Sequence, residues 1–359
     1  MIQSQAESKN LDLLRSFAVA FVVISHFPPS ALGLSSPRGY HLQSLGLLGV
    51  LIFFVHTSLV LMLSLERQVA QLGVRRLQST FLIRRIFRIY PLSVCVVCLV
   101  QLLSLVGVGH GFEHHLTSFA YDILLVQNIP ATSFTPNSLA ALWSLPFEMQ
   151  MYVLLPALFL LVRASGRRAP MRVVGLWLTA MALALGLYRL NGRYDLVKYI
   201  PCFLPGVLAY ALGTQKPSAR TARLPPIVLF SLVGALAVAY PILVARGIRE
   251  NLLAPFVCLA LGITIPLCED ITSHVLQRLG KVIATYSYGV YLTHIFAIDL
   301  AFAWAPQLPI VAHLAIFIAL MWLLPWAAYK FIEAPGLELG KRIAHSFQRA
   351  AQRGLSPSP

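Results

Sequence analysis

The sequence predicts an all-α fold, a polytopic transmembrane helix bundle of about ten spans with both termini in the cytoplasm. Three observations lead there. Hydrophobic residues make up 58% of the 359 and charged residues only 11%, and the mean hydropathy is +0.74, a composition that no soluble domain of this size has reason to carry. The apolar residues gather into ten segments, each near the ~20 residues that a membrane span needs. Lys and Arg fall mostly on one side when these segments are threaded alternately from a cytoplasmic N-terminus.

The segments run over 11–29, 45–65, 88–108, 143–163, 173–189, 196–213, 225–245, 251–268, 283–304 and 308–330. The stretch 115–130 is short and interrupted, and is expected to lie on or dip into the outer face. As a full eleventh crossing it would invert every later loop and carry the basic cluster Arg163, Arg167, Arg168 and Arg172 outside. Of the 28 Lys and Arg, the outer side keeps Arg38, Arg189, Arg193, Lys198, Arg246 and Arg249, and the other 22 face the cytoplasm. The net charge of +15 is therefore an expression of topology and of contact with anionic membrane lipids, and does not indicate nucleic-acid binding. The N-terminal MIQSQAESKN has no basic n-region, so no cleaved leader is expected.

Residues 1–342 read as one membrane domain, and 343–359, basic and then Ser/Pro-rich, as a disordered cytoplasmic tail. Cys95, Cys98, Cys202, Cys258 and Cys268 all sit in or at the ends of apolar segments, and Cys95-x-x-Cys98 has no second ligand pair. They read as small buried apolar residues. His110, His114 and His115 lie in the largest outer segment, 109–142, without a metal-ligand spacing. No metal is expected.

The chemistry-bearing residues begin with Arg15 and His26 in LDLLRSFAVAFVVISHF. Eleven residues of helix are about three turns and ~16 Å of rise, so the guanidinium and the imidazole share one face at different depths. Ionisable groups within a span usually face the bundle interior or a hydrated cavity. A snorkelling Arg and an isolated buried His give the bland alternative. At the entry to the third span, FLIRRIFRIYP places Arg84, Arg85 and Arg88 within helical contact of one another, followed by Tyr90 and Pro91. Arginine suits bidentate recognition of phosphate, although a positive-inside anchor would use the same residues.

The fourth span opens WSLPFEMQMYVLLP. Ser144, Glu148 and Tyr152 form an i, i+4, i+8 polar stripe next to Trp143. A carboxylate there must be paired, hydrated or protonated, and counting from the segment ends puts it at a depth similar to that of His26. In the ninth span, YSYGVYLTHIF aligns Ser287, Tyr291 and His294 on one face. His56 has weaker polar company, and Asp299 lies off the His294 face.

Taken together these residues resemble the bacterial acyltransferase family 3, integral membrane enzymes that acylate, most often O-acetylate, extracytoplasmic carbohydrates. The resemblance spans residue 11 to about 342. Its elements are the Arg–x10–His of Arg15 and His26, and the aromatic segment LGVLIFFVHTSLVL, where His56-Thr57 stands in place of a common Ser-Gly. They continue with the RxxR of Arg85 and Arg88 before Tyr90-Pro91, and with Trp143-Ser144-Leu145 and Glu148, then Tyr152 and Pro156. Tyr291-x-x-His294 and the final Glu333-x-Pro335 complete the set.

The resemblance implies transfer of an acetyl or other short acyl group from cytosolic acyl-CoA, acetyl-CoA first, to a sugar hydroxyl near the outer face of a bacterial inner membrane. It implies catalysis by His26, Arg15 and Glu148, and donor binding by Arg84, Arg85, Arg88 and Tyr90. Trp143, Ser144, Tyr152, Tyr291 and His294 would bind the acceptor or support the site. On that account His26 is a general base or a transient acyl carrier, and Glu148 orients it or binds the acceptor. A proton-coupled transporter or flippase would use the same polar track as a relay, but matched repeats with broken helices are not evident. A lipid-modifying enzyme of the bilayer interior would have no use for the arginine cluster.

Overall fold

The computed structural model describes residues 9–28, 39–74, 77–105, 116–129, 137–191, 195–215, 223–302 and 307–353. His110, His114 and His115 lie outside them, as do Arg38 and Arg193. Among the described residues the fold is all-α, with one isolated parallel bridge between Leu224 and Cys268. The helices are α1 (Lys9–His26), α2 (Leu42–Leu72), α3 (Leu77–Leu105), α4 (Leu116–Leu124), α5 (Leu145–Ser165), α6 (Ala169–Asn191), α7 (Asp195–Gly213), α8 (Pro226–Ala245), α9 (Glu250–Thr264), α10 (His274–Phe302), α11 (Ile310–Ala328) and α12 (Ala334–Arg353).

Each of the ten apolar segments falls on one of these helices. Seven continuous stretches are long and apolar enough to cross a membrane, and one of them, Ala141–Arg189, takes in both α5 and α6. The protein is thus a multi-pass helical membrane protein. Helices α1 and α10 are absent from the seven, and they are the two that carry Arg15, His26, Tyr291 and His294. The polar residues that make them interesting are what lower their hydropathy. Helix α4 has nine residues and rises only ~14 Å, so 115–130 does not cross a bilayer core ~30 Å thick.

Helix α12 continues to Arg353, and 354–359 lie outside the described residues. Its small residues explain the docking: Gly336 and Gly340 lie so close against Phe87 and Pro91 of α3 that a Cβ at either would collide. Between α11 and α12 the chain makes one π-helical turn, Tyr329–Glu333, a local widening often found at functional positions.

Helix α1 lies between α2 and α10. Its start is pinned by Asn10, whose Nδ2 donates to the Glu269 carbonyl (2.7 Å) and whose Oδ1 accepts from the Ile271 amide (3.0 Å). Against α2 the approach is set by Gly46 and Gly49, which face Ser25 and the Ala18 carbonyl with no room for a side chain. Small residues are how helices approach closely without a hydrophobic driving force between them. Because Gly46 near the start of α2 meets Ser25 near the end of α1, the two helices are antiparallel. The starts of α1 and α3 therefore share one end of the bundle. The other end holds His26 and the starts of α2, α7 and α9.

Candidate functional site

Two cavities occupy the bundle along the polar face of α1. The first, about 90 Å³, is lined by Arg15, Phe53, His56, Thr57, Arg85, Arg88, Ser144, Glu148, Tyr152, Ser287, Tyr288 and Tyr291 among others. At ~10–15 Å³ per water position it holds about six waters. The second, about 370 Å³, is lined by Val22, His26, His41, Gln43, Gly46, Leu47, Val50, Ala141, Trp143, Tyr199, Glu250 and Tyr291. Tyr291 belongs to both walls. Its hydroxyl lies 2.9 Å from Ser144 Oγ, and its ring meets Phe53 edge-on at 6.0 Å. The Trp143-Ser144 step at the end of a 3-10 turn sends Trp143 to one cavity and Ser144 to the other. The sequence expectation of one polar track becomes two chambers with a hydrogen-bonded partition.

The first chamber is cationic. Arg15, Arg85 and Arg88 enter it, against Glu148 and the Glu333 that pairs with Arg88 at 2.9 Å. Glu333 is fully buried and sits at the end of the π-helical turn. The Arg88 guanidinium also lies 5.5 Å from the Tyr288 ring centroid, and the Tyr288 hydroxyl donates to the Ile89 carbonyl (2.7 Å). Arg88 is thereby fixed, whereas the Nε atoms of Arg15, Arg84 and Arg85 are buried with no hydrogen-bond partner among the described residues. A buried guanidinium nitrogen without an acceptor is costly, and an anion would satisfy it. Glu148 accepts from the Tyr152 hydroxyl at 2.9 Å.

The second chamber is built around a pair of imidazoles. His294 Nδ1 donates to the Tyr291 carbonyl at 2.8 Å, so its Nε2 carries a lone pair. That Nε2 lies 3.4 Å from His26 Nδ1, and the Val22 carbonyl lies 2.9 Å from the same His26 nitrogen. With Ser25 Oγ a third contact at 3.2 Å, these acceptors call for a proton on His26 Nδ1, and the neutral ring then carries its lone pair on Nε2. His26 is exposed to the pocket while His294 is fully buried. Across the pocket Ser44 donates to Glu250 Oε1 (2.9 Å) and contacts His41 Nδ1 (2.6 Å).

The sequence-predicted residues thus divide. Arg15, Arg85, Arg88, Ser144, Glu148 and Tyr152 meet in the first chamber, and His26, Trp143 and His294 meet at the second, with Tyr291 between. Glu148 faces Arg15 rather than the pocket of His26, and the partner of His26 is His294. Arg84 does not line the chamber, and the Tyr90 hydroxyl turns away to donate to the Leu124 carbonyl of α4 (2.9 Å). His56, ranked low from sequence, is in the first chamber wall, and Asp299 is exposed. His41, Ser44, Tyr199 and Glu250 were missed. Ser44 and Glu250 are 206 residues apart, and no spacing rule connects them. Among the described residues no group of His, Cys, Asp and Glu could hold a metal ion.

Comparison with known proteins identifies the family. The acyltransferase domain of acyltransferase family 3 matches residues 8–330, which takes in both chambers. No curated protein and no solved structure matches. With nearly the whole chain covered, the protein belongs to acyltransferase family 3 and is a membrane acyltransferase.

Proposed function

We propose that the protein transfers an acetyl or other short acyl group from cytosolic acyl-CoA, acetyl-CoA in the first instance, to a hydroxyl of an extracytoplasmic carbohydrate or glycoconjugate. On this reading the start of α1 faces the cytoplasm and the membrane is a bacterial inner membrane. The observation that carries it is the division of labour between the chambers. One offers unsatisfied arginine nitrogens and the other offers the His26 imidazole backed by His294, with a single tyrosine side chain common to both walls.

In this reading Arg85 and Arg15 attract the donor's phosphates from the chamber wall, Arg84 adds charge from outside it, and Arg88, held by Glu333, keeps the cationic wall in place. The narrow pantetheine arm passes the partition when Tyr291 turns from Ser144. The acceptor hydroxyl in the second chamber gives its proton to His26 Nε2 as its oxygen attacks the thioester carbon. Collapse of the tetrahedral adduct breaks the carbon–sulfur bond, and the departing thiolate takes the proton from His26. Arg15 neutralises charge on the donor side. Glu148, hydrogen-bonded to Tyr152, balances the arginines rather than orienting the base. Trp143 and Tyr199 offer aromatic faces to a sugar ring.

The test is transfer from radiolabelled acetyl-CoA to surface glycans in membranes, compared between the parent and His26→Ala proteins at equal abundance. Label in glycan with the parent and its loss in the variant support the reading, and equal labelling of the two refutes it.

A further inference from the structure

A third cavity, about 170 Å³, opens beside the His26 pocket between α6, α7 and α9. Arg189 comes to it from the end of α6, Lys198 from the start of α7 and Arg249 from the residue before α9. Glu250 faces Lys198 from the neighbouring pocket, outside this lining. Arg189, Lys198 and Arg249 are three of only six Lys and Arg assigned to the outer side, brought together by three different helices. Arg249 donates to the Tyr188 hydroxyl at 3.0 Å, which braces its guanidinium at the rim. The rest of the wall is apolar, including Leu185 and Leu252. On the same two helices Leu183 and Phe256 are exposed apolar side chains. The cleft therefore joins cationic side chains to an apolar wall on helices that span the membrane, the complement of an anionic head on a lipid chain.

This cleft adjoins the catalytic chamber. Lys198 Nζ stands 4.9 Å from the Tyr199 ring centroid, and Tyr199 lines the pocket of His26. Arg249 is in the cleft and the next residue, Glu250, is in the pocket. Building on His26 as the acyl-transfer base, we propose that the cleft binds the phosphate of a lipid-borne acceptor. The acceptor's sugar then lies in the His26 pocket while its hydrocarbon chain stays in the bilayer along α6 and α9. The acceptor class is a polyprenyl-type phosphate-linked glycan, taken before release from its carrier.

The binding probe is farnesyl phosphate, measured by thermal shift and native mass spectrometry on the full-length protein in nanodiscs. Farnesol, inorganic phosphate and phosphatidylglycerol are the comparison ligands. Farnesyl phosphate is expected to bind at least roughly tenfold more tightly than each of the three, and Arg249→Gln with Lys198→Gln is expected to weaken it by roughly tenfold or more. Arg249 is exposed and Lys198 half-buried, and an unchanged thermal shift with CoA confirms that the double variant folds. If that shift is lost, Arg249→Lys with Lys198→Arg, which keeps both charges, replaces the double variant and must retain farnesyl phosphate affinity. Equal affinity for farnesol or for phosphatidylglycerol overturns the proposal, as does unchanged affinity in the double variant. None of these outcomes bears on acyl transfer by His26, which the labelled-donor assay reports separately.

Discussion

The Tyr291 hydroxyl lies 2.9 Å from Ser144 Oγ, and this contact divides the bundle into a chamber of arginines and a chamber of histidines. A transferase that joins a donor and an acceptor from opposite sides must let a slender arm through while barring water and ions between turnovers. A side chain latched by one hydrogen bond suits that task. The net worth of such a bond is only about 1 kcal/mol, roughly a factor of five in population, so the latch opens at little cost.

Tyr291→Phe keeps the ring packing against Phe53 and removes the latch. Acceptor-free release of CoA from acetyl-CoA should rise by roughly fivefold, as read by a thiol assay on purified protein. An unchanged rate would mean that the hydroxyl does not hold the partition shut.

His294 acts on the reaction through His26. His294→Ala should lower kcat by roughly tenfold or more while leaving KM for the donor unchanged, because it removes the imidazole packed against His26 and leaves the Val22 carbonyl to hold the ring from one side. His26→Ala should cost about a hundredfold or more in kcat and preserve the thermal shift with CoA. A change of donor KM in His294→Ala would place that residue in donor binding instead.

Arg88 and Glu333 form a buried pair at 2.9 Å. Glu333→Ala leaves Arg88 uncompensated and should destabilise the protein by about 3–5 kcal/mol, lowering its Tm in detergent. Arg88→Met with Glu333→Leu should recover most of that loss, since a buried ion pair replaced by apolar side chains is often neutral. If Glu333→Ala leaves Tm unchanged, the pair is not what fixes the π-helical turn against α3.

Arg15 and Arg85 carry the unsatisfied arginine nitrogens of the first chamber. Arg85→Gln should weaken CoA binding by roughly tenfold or more without affecting folding, as measured by titration of the thermal shift. Arg15→Gln should cost less in affinity for free CoA than in kcat, because it lies deeper along the path of the arm.

The helical bundle was legible because hydropathy and charge bias are local and cumulative, and each of the ten apolar segments falls on a helix. The shared face of Arg15 and His26 was also legible, as it follows from helix pitch within one element. What joined across elements was not. The His26–His294 contact depends on how α1 crosses α10, which Gly280 of α10 helps to set by admitting the Leu13 backbone of α1 so closely. Glu148 was matched to His26 by counting residues from segment ends, an argument that carries an error of about a turn, and in the structure it lies below the Tyr291 partition with Arg15. Tyr90 follows the arginine cluster in sequence yet points to α4, since two residues along a helix turn the side chain ~200°. Glu250 was hidden one residue ahead of the segment 251–268, and the helix begins on it.

The central claim is that the two chambers open to opposite sides of the membrane and that the arginine chamber takes the donor. Thr57 lines the first and Leu47 the second, both on α2. With the five native cysteines replaced, Thr57→Cys and Leu47→Cys can be probed separately with a charged, membrane-impermeant thiol reagent in right-side-out and inverted vesicles. The account predicts that Leu47→Cys reacts only in right-side-out vesicles, that Thr57→Cys reacts only in inverted ones, and that acetyl-CoA protects Thr57→Cys alone. Reaction of both cysteines from one side, or no protection by acetyl-CoA, would contradict it.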